Sequence, residues 1–236
     1  MALPFFYLSS YDPTNPELTL DEDNFRHVVQ VLRMAPGEAL QLTNGKGALL
    51  TAIIIDDHKK KCRVRIQSTI TQPPPKRKVT IAISLLKNAS RFEWFLEKAT
   101  EIGVHTIIPL LCERTEKQHA RTDRLRNILV SAMLQSQQTW LPEFPDPIPF
   151  NELLASHPCD QQFIAHCLEE PRPTASLASS ANASSSQVVL IGPEGDFSPK
   201  EIELALKEGF LPITLGDNRL RTETAGVVAA TLLCIG

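Results

Sequence analysis

Val188 to Ala225 reads VVLIGPEGDFSPKEIELALKEGFLPITLGDNRLRTETA, and this stretch decides how the chain is understood. An apolar run, Val188-Val189-Leu190-Ile191, breaks into Gly192-Pro193-Glu194-Gly195. Ser198, Pro199 and Glu201 then occupy the N-cap, first and third positions of a helix start. A second apolar run, Leu211 to Leu215, breaks into Gly216-Asp217-Asn218-Arg219, and Thr222-Glu223-Thr224-Ala225 leads into a small, apolar C-terminal helix. Two strands that each end in a glycine loop place a small-ligand crevice at the strand C-termini of an open α/β sheet.

The chain of 236 residues has room for one large or two small domains, and its 42% hydrophobic and 22% charged residues are those of an ordinary globular protein. No apolar run reaches the length of a membrane span, and Met1-Ala2-Leu3-Pro4 lacks a signal peptide's basic region, so a cytoplasmic protein without a membrane partner is expected. Cys62, Cys112, Cys159, Cys167 and Cys234 form no C-x-x-C pair, and the six histidines form no ligand cluster. Buried, reduced thiols and no metal are the expectation.

The net charge of −3 hides an asymmetry. Between Lys59 and Arg126 sixteen basic residues face six acidic ones, so that segment carries +10 and the remainder −13. Single runs such as Lys59-Lys60-Lys61 read as solvated surface, but the segment as a whole points to a polyanionic partner.

Residues 1–72 read as a small β-rich unit. Phe5–Leu8, Ala39–Thr43, Ala48–Ile55 and Arg63–Ile70 are strand candidates, with Asn44-Gly45-Lys46-Gly47 as a hairpin turn. Asn24–Arg33 has helical spacing, and His27 within it is expected to be partly buried and structural. Several hairpin-linked strands in so few residues suggest a small barrel. The stiff, basic Gln72-Pro73-Pro74-Pro75-Lys76-Arg77-Lys78 marks the boundary to a second domain, 73–236. There strands at 79–85, 106–110, 162–166, 188–191 and 211–215 alternate with helices, the first capped by Ser90 and stopped by Gly103. Five strands with intervening helices imply a mostly parallel sheet. Residues 171–186, rich in Pro, Ala, Ser and Asn, read as a surface loop.

Common nucleotide sites are excluded. No G-x-x-x-x-G-K-[ST] run and no G-x-S-x-G elbow occurs, and the turn after the first strand of the second domain, Leu85-Leu86-Lys87-Asn88, has no glycine for a dinucleotide site.

Ile191-Gly192-Pro193-Glu194-Gly195, Phe197-Ser198, Leu215-Gly216 and Leu220-Arg221-Thr222-Glu223-Thr224-Ala225 resemble the ordered motifs of one family. It is the small-subunit ribosomal RNA uridine-N3 methyltransferase family, of the SPOUT class of α/β trefoil-knot enzymes. Upstream, His27 with Val31-Leu32-Arg33, Gly37 and Asn44–Gly47 resembles the family's PUA-like β-barrel. Lys87, Glu97–Val104, Pro109–Arg114, Gln135-Ser136 and Leu141-Pro142 resemble its middle segments, so the resemblance covers nearly the whole chain.

The resemblance implies S-adenosylmethionine bound in the knot, 16S rRNA or the small ribosomal subunit as substrate, and a homodimer. The implied cofactor-binding residues are Leu190, Ile191, Gly192, Pro193, Glu194 and Gly195, then Leu215, Gly216, Leu220, Arg221, Thr222, Thr224 and Ala225. Methyl transfer to uracil N3 asks for alignment, removal of the N3 proton and stabilisation of negative charge on the base. Arg221 is the first candidate for charge stabilisation; Glu194 and Glu223 are candidates for orientation or proton acceptance. Glu223 has a structural alternative, since an acid in the first turn of a helix interacts well with its dipole. Arg33, Arg63, Arg65, Lys87, Arg91 and Arg114 are the RNA-binding candidates. The chain departs from the family pattern twice: Gly195-Asp196-Phe197-Ser198 stands for Gly-Gly-Phe-Ser, and Leu134-Gln135-Ser136-Gln137-Gln138 for Glu-Gln-Ser-Gly-Arg. A knotted methyltransferase acting on another RNA position and a non-catalytic RNA-binding assembly factor are the competing functions.

Overall fold

The computed structural model of the protein describes residues 3–57, 61–119, 121–156, 159–167 and 186–235. Lys59, Lys60 and most of the expected surface loop at 171–186 lie outside them. The chain divides into two compact units, Met1–Pro74 with Met133–Leu141, and Pro75–Ala132 with Pro142–Gly236.

The first unit is a five-stranded sheet, curled as a half-barrel, in the order β1-β3-β4-β5-β2: β1 Phe5–Tyr7, β2 Glu17–Thr19, β3 Ala39–Thr43, β4 Ala48–Asp56 and β5 Arg63–Thr71. β3, β4 and β5 are antiparallel neighbours, and β1 runs parallel to β3. Alternation along β4 sends Leu50, Ala52 and Ile54 into a core shared with Leu40, Leu42 and Val64. Between β2 and β3 the chain makes a single helical turn, α1 (Glu22–Phe25), and then a π-helical turn from Arg26 to Val31. The regular helix expected there does not form; Leu32 N–H instead reaches back five residues to the His27 carbonyl. His27 is exposed rather than partly buried, its ring edge-on to Phe6 at 5.4 Å between centroids. Met133–Leu141 belongs to this unit because it hooks onto the β3–β4 loop. Gly47 N–H donates to the Thr139 carbonyl and Leu141 N–H to that of Gly45, each at 2.9 Å. Trp140 lies so close over Gly47 that an added Cβ would stand 2.6 Å from its ring.

The second unit is a six-stranded sheet in the order β11-β9-β10-β6-β7-β8, with every pairing parallel. Its strands are β6 Lys78–Ser84, β7 Thr106–Leu111, β8 Ile148–Pro149, β9 Gln161–Ala165, β10 Ser186–Ile191 and β11 Leu211–Ile213. The two-residue β8 at the edge is one strand more than expected. The helices are α2 Ala89–Ile102, α3 Thr122–Gln135, α4 Phe150–Ser156, α5 Pro199–Lys207 and α6 Thr222–Cys234. α3 runs on from this unit into Met133–Gln135 of the first. Helix α2 buries Phe92, Phe95, Leu96 and Ala99 on one face and ends at Gly103, which is left-handed at φ +96°. Its N-cap is Asn88, whose side chain accepts from the Ser90 N–H at 3.0 Å, so Ser90 is not the cap.

β11 lies at the far edge of the sheet beside β9, yet α6 comes back to pack on α2, β6 and β10. This return fits the α/β trefoil-knot class expected from the sequence. Gly226 makes the close fit possible, since a Cβ there would lie 2.6 Å from the Phe95 ring and 2.9 Å from Ile83. Arg77 fastens the far end of the helix, donating to the Leu233 carbonyl at 3.1 Å. On the other face of the sheet Ile108, Leu110, Ile164 and Leu190 pack with Phe197 and Ile202.

Candidate functional site

The C-terminal ends of β9, β10 and β11 and the start of α6 enclose a crevice in two adjoining lobes of about 330 and 310 Å³. Parallel strands all deliver their chain turns to one edge, which is why three separate loops meet there. The β10 loop, Gly192 to Asp196, borders the first lobe, together with Arg221 and Thr222. Thr214 to Asn218, following β11, borders the second. Ala165, Cys167, Arg219, Leu220 and Ala225 border both.

Eleven of the thirteen residues expected at a cofactor line this crevice. Leu190 does not: it is fully buried in the core beneath the loop. Thr224 is half-buried on α6 outside the lining. Sequence reasoning missed Ala165, His166 and Cys167, which the strand order brings in beside the β10 loop. Their one sequence signal is the C-terminal end of a parallel strand. Cys167 is exposed, against the expectation of buried thiols; Cys62 and Cys112 are buried, and Cys159 and Cys234 half-buried.

The glycine loop is held from several sides. Gly195 and Asp196 are consecutive left-handed residues, at φ +100° and +69°. Asp196 Oδ1 accepts from the Phe197 N–H at 2.8 Å, and Oδ2 from the Cys167 N–H at 2.7 Å. Arg114 donates to the Gly195 carbonyl at 2.6 Å. Below the loop the expected capping box forms: Ser198 accepts from the Glu201 N–H, and Glu201 Oε2 from the Ser198 N–H at 2.8 Å. The second Glu201 oxygen accepts from the Glu113 N–H at 2.8 Å, tying the loop after β7 to α5. Both oxygens of this buried carboxylate are thereby satisfied.

Of the three residues singled out for catalysis, Arg221 and Glu194 line the first lobe, whereas Glu223 is buried on α6 outside the lining. Arg221 is exposed at the lining, and its guanidinium makes no ion pair among the described residues. As the N-cap of α6 it makes no side-chain cap, so the N–H groups of that first helical turn meet the crevice without one. Glu223, in that turn, has a side chain only 8% exposed. Arg91 of α2 reaches Glu223 Oε1 at 3.6 Å and Glu194 Oε1 at 3.3 Å, spanning both carboxylates. Glu223 Oε2 has no hydrogen-bond partner among the described residues.

Lys87 pairs with Glu116 at 2.8 Å, a contact that raises its pKa with a smaller contribution from Glu194. In the first unit Arg63 and Arg65 converge on Glu17, which they hold below the usual carboxylate range. Arg33, at φ +56°, is exposed after the π-helical turn. The described residues contain no group of three or more His, Cys, Asp or Glu able to hold a metal, and none of their helices is long and apolar enough to cross a membrane.

Comparison with known proteins agrees with this arrangement. Residues 72–234 match the model of the RNA methyltransferase domain, and residues 20–67 that of the RNA methyltransferase PUA domain. A structure described as a probable rRNA-methyltransferase from Porphyromonas gingivalis is 37% identical, with a TM-score of 0.90 over 99% of each chain. Ribosomal RNA small subunit methyltransferase E from Neisseria gonorrhoeae, solved bound to S-adenosyl methionine, is 29% identical, with a TM-score of 0.83 over 97% of this chain and 95% of that one. The protein of the same name from Synechocystis is 30% identical over 90% of this chain and 71% of its own length. A two-lobed crevice walled by the glycine loops of a knotted parallel sheet, in a chain matched by both family models, identifies it as a member of the RNA methyltransferase family.

Proposed function

We propose that the protein transfers a methyl group from S-adenosylmethionine to N3 of a uridine in small-subunit (16S) rRNA. The observation that carries this reading is the crevice: an unpaired Arg221 stands with Glu194 at the rim of a space bordered by glycine loops, and Arg91 links Glu194 to the buried Glu223 behind it. The residues present fit the cofactor. The volume is that of a small-molecule site, the second lobe has apolar walls in Ile213, Leu215 and Leu220, and Gly195 and Gly216 leave open space where a side chain would stand. Ile191 to Gly195, Leu215-Gly216, Leu220 to Thr222 and Ala225 are the residues assigned to hold it, with Leu190 and Thr224 supporting them from behind.

S-adenosylmethionine supplies an electrophilic methyl group on a sulfonium that is its own leaving group, so no metal is required. The chain's own work is to align the base and manage one proton and one charge. Arg221 presents an uncompensated guanidinium to the negative charge that grows on the uracil ring. Glu223 or Glu194 accepts the N3 proton. Arg91 holds both carboxylates in place.

Residues 1–72 act as the RNA-binding domain and 73–236 as the methyltransferase domain. Lys87, Arg91 and Arg114 face the RNA around the glycine loop, and Arg33, Arg63 and Arg65 contact it from the N-terminal unit. The enzyme works in the cytoplasm as a homodimer. The half-buried Val227, Val228 and Leu232 of the apolar α6, with exposed Trp94 on neighbouring α2, are the surface a second subunit covers.

Deleting the gene and mapping modified uridines in small-subunit rRNA by mass spectrometry tests the reading. N3-methyluridine disappears and returns with the wild-type protein; Arg221→Ala does not restore it. A level that never changes sinks the substrate assignment, and full rescue by Arg221→Ala sinks that residue's role.

A further inference from the structure

Five of the six cations assigned to RNA are already engaged. Arg63 and Arg65 meet Glu17, Lys87 meets Glu116, Arg91 spans Glu194 and Glu223, and Arg114 is spent on loop carbonyls. Free positive charge on the methyltransferase unit lies elsewhere.

A cavity of about 610 Å³ opens at the end of β6, between Leu85-Leu86, the first turn of α2 and the segment that enters α3. Lys117, His119, Arg121 and Arg124 line it. Glu93 is the one carboxylate in its wall, and Arg124 holds it by two hydrogen bonds of 2.6 and 2.9 Å. The side chains of Lys117 and Arg121 make no ion pair or hydrogen bond among the described residues, so with Arg124 balanced by Glu93 these two leave the wall a formal charge of +2. Apolar Phe92 and Leu125 form part of the same wall, and a low-dielectric boundary strengthens the field of those two charges. The first-turn dipole of the fourteen-residue α2 adds to it.

The cavity shares an edge of the sheet with the crevice. Ile83 of β6 is in parallel register with Ile191 of β10, so the loops that leave these strands emerge side by side. Lys87 and Arg91 lie between the two, both drawn towards Glu194. We infer that this cavity is a second RNA subsite, which takes a backbone phosphodiester of the strand whose base enters the crevice, with Lys117 and Arg121 as its contacts. This rests on the methyltransferase reading above. A phosphate seated there fixes the register of the strand while the target base is turned out of its stack, a division of labour common in RNA recognition.

The test is the salt dependence of full-chain binding to a small-subunit rRNA transcript. Each lost phosphate contact flattens the plot of log affinity against log salt by about 1. Lys117→Gln/Arg121→Gln is expected to flatten it by about 2. Lys200→Gln/Lys207→Gln, the same charge change on exposed positions of α5, is expected to leave it nearly unaltered. Thermal midpoint and S-adenosylmethionine affinity by calorimetry report whether the variants are folded. An unchanged slope in the first variant, or an equal change in both, overturns the subsite. A flattened slope in a protein that does not bind S-adenosylmethionine keeps the subsite and removes the methyltransferase reading.

Discussion

Asp196 Oδ2 accepts the Cys167 backbone N–H at 2.7 Å, so the glycine loop of β10 holds the end of β9 across the crevice. The family pattern has glycine at this position, and glycine has no side chain to make that tie. Asp196 keeps the left-handed backbone a glycine would adopt, at φ +69°, and offsets its cost with the second bond to the Phe197 N–H. Asp196→Gly is expected to free the β9 end. A net hydrogen bond of about 1 kcal/mol corresponds to roughly fivefold faster amide exchange at Cys167, with weaker S-adenosylmethionine binding. Unchanged protection at Cys167 would show that the tie does not form in solution.

Arg91 is the charge partner of a nearly buried carboxylate. Arg91→Ala strands Glu223, and the cost expected is about 1–3 kcal/mol. Glu223→Gln removes the charge that needs compensating, so Arg91→Ala/Glu223→Gln should regain part of that loss. Denaturant midpoints of the four proteins give the coupling directly. Strict additivity would mean the 3.6 Å contact carries no energy.

The knot helix leaves no room at Gly226. Gly226→Ala improves helix propensity by about 1 kcal/mol but drives a methyl group into Phe95 and Ile83, at a cost of about 1–3 kcal/mol. The expected outcome is a net loss, read as a lower denaturant midpoint. A more stable variant would show that α2 yields easily.

The thiols predict alkaline behaviour. Burial pushes Cys62 and Cys234 from the usual 9.0 up to about 11, and Cys112 further still. A thiol that stays protonated in the folded chain and ionises in the unfolded one favours folding below pH 9, and that contribution is lost as pH rises through about 11. Stability should therefore fall across this window, and Cys62→Ala should lessen the slope. At pH 8 a maleimide should label Cys167 first, by mass mapping, because it is the exposed cysteine.

Much of this site is written locally in the sequence. The glycine loops after β10 and β11, the capping box at Ser198 and the approach to α6 each depend on neighbouring residues, and each formed where its residues stand. What stayed hidden depends on strand order or long-range packing. Ala165 to Cys167 carry no motif and join the crevice only because β9 lies between β10 and β11. The two residues of β8 are too few to show alternation. The π-helical turn at Arg26–Val31 has the same apolar spacing as an ordinary helix, and its five-residue hydrogen bonds leave no mark in that spacing. Gln137, where the family pattern has glycine, still adopts φ +58°, so the backbone kept a conformation the residue itself does not advertise.

The placement of α6 has a consequence for biogenesis. Leu220 to Thr222 and Ala225 wall the crevice, and α6 follows every other described element in chain order. A nascent polypeptide that has emerged only as far as Gly216 therefore offers half a binding surface, however well its sheet has formed. Ligand capture becomes possible once the final helix has passed into place, and from then on a bound ligand opposes its withdrawal. Occupancy of the crevice would thus report that α6 has been made and has reached its place in the fold.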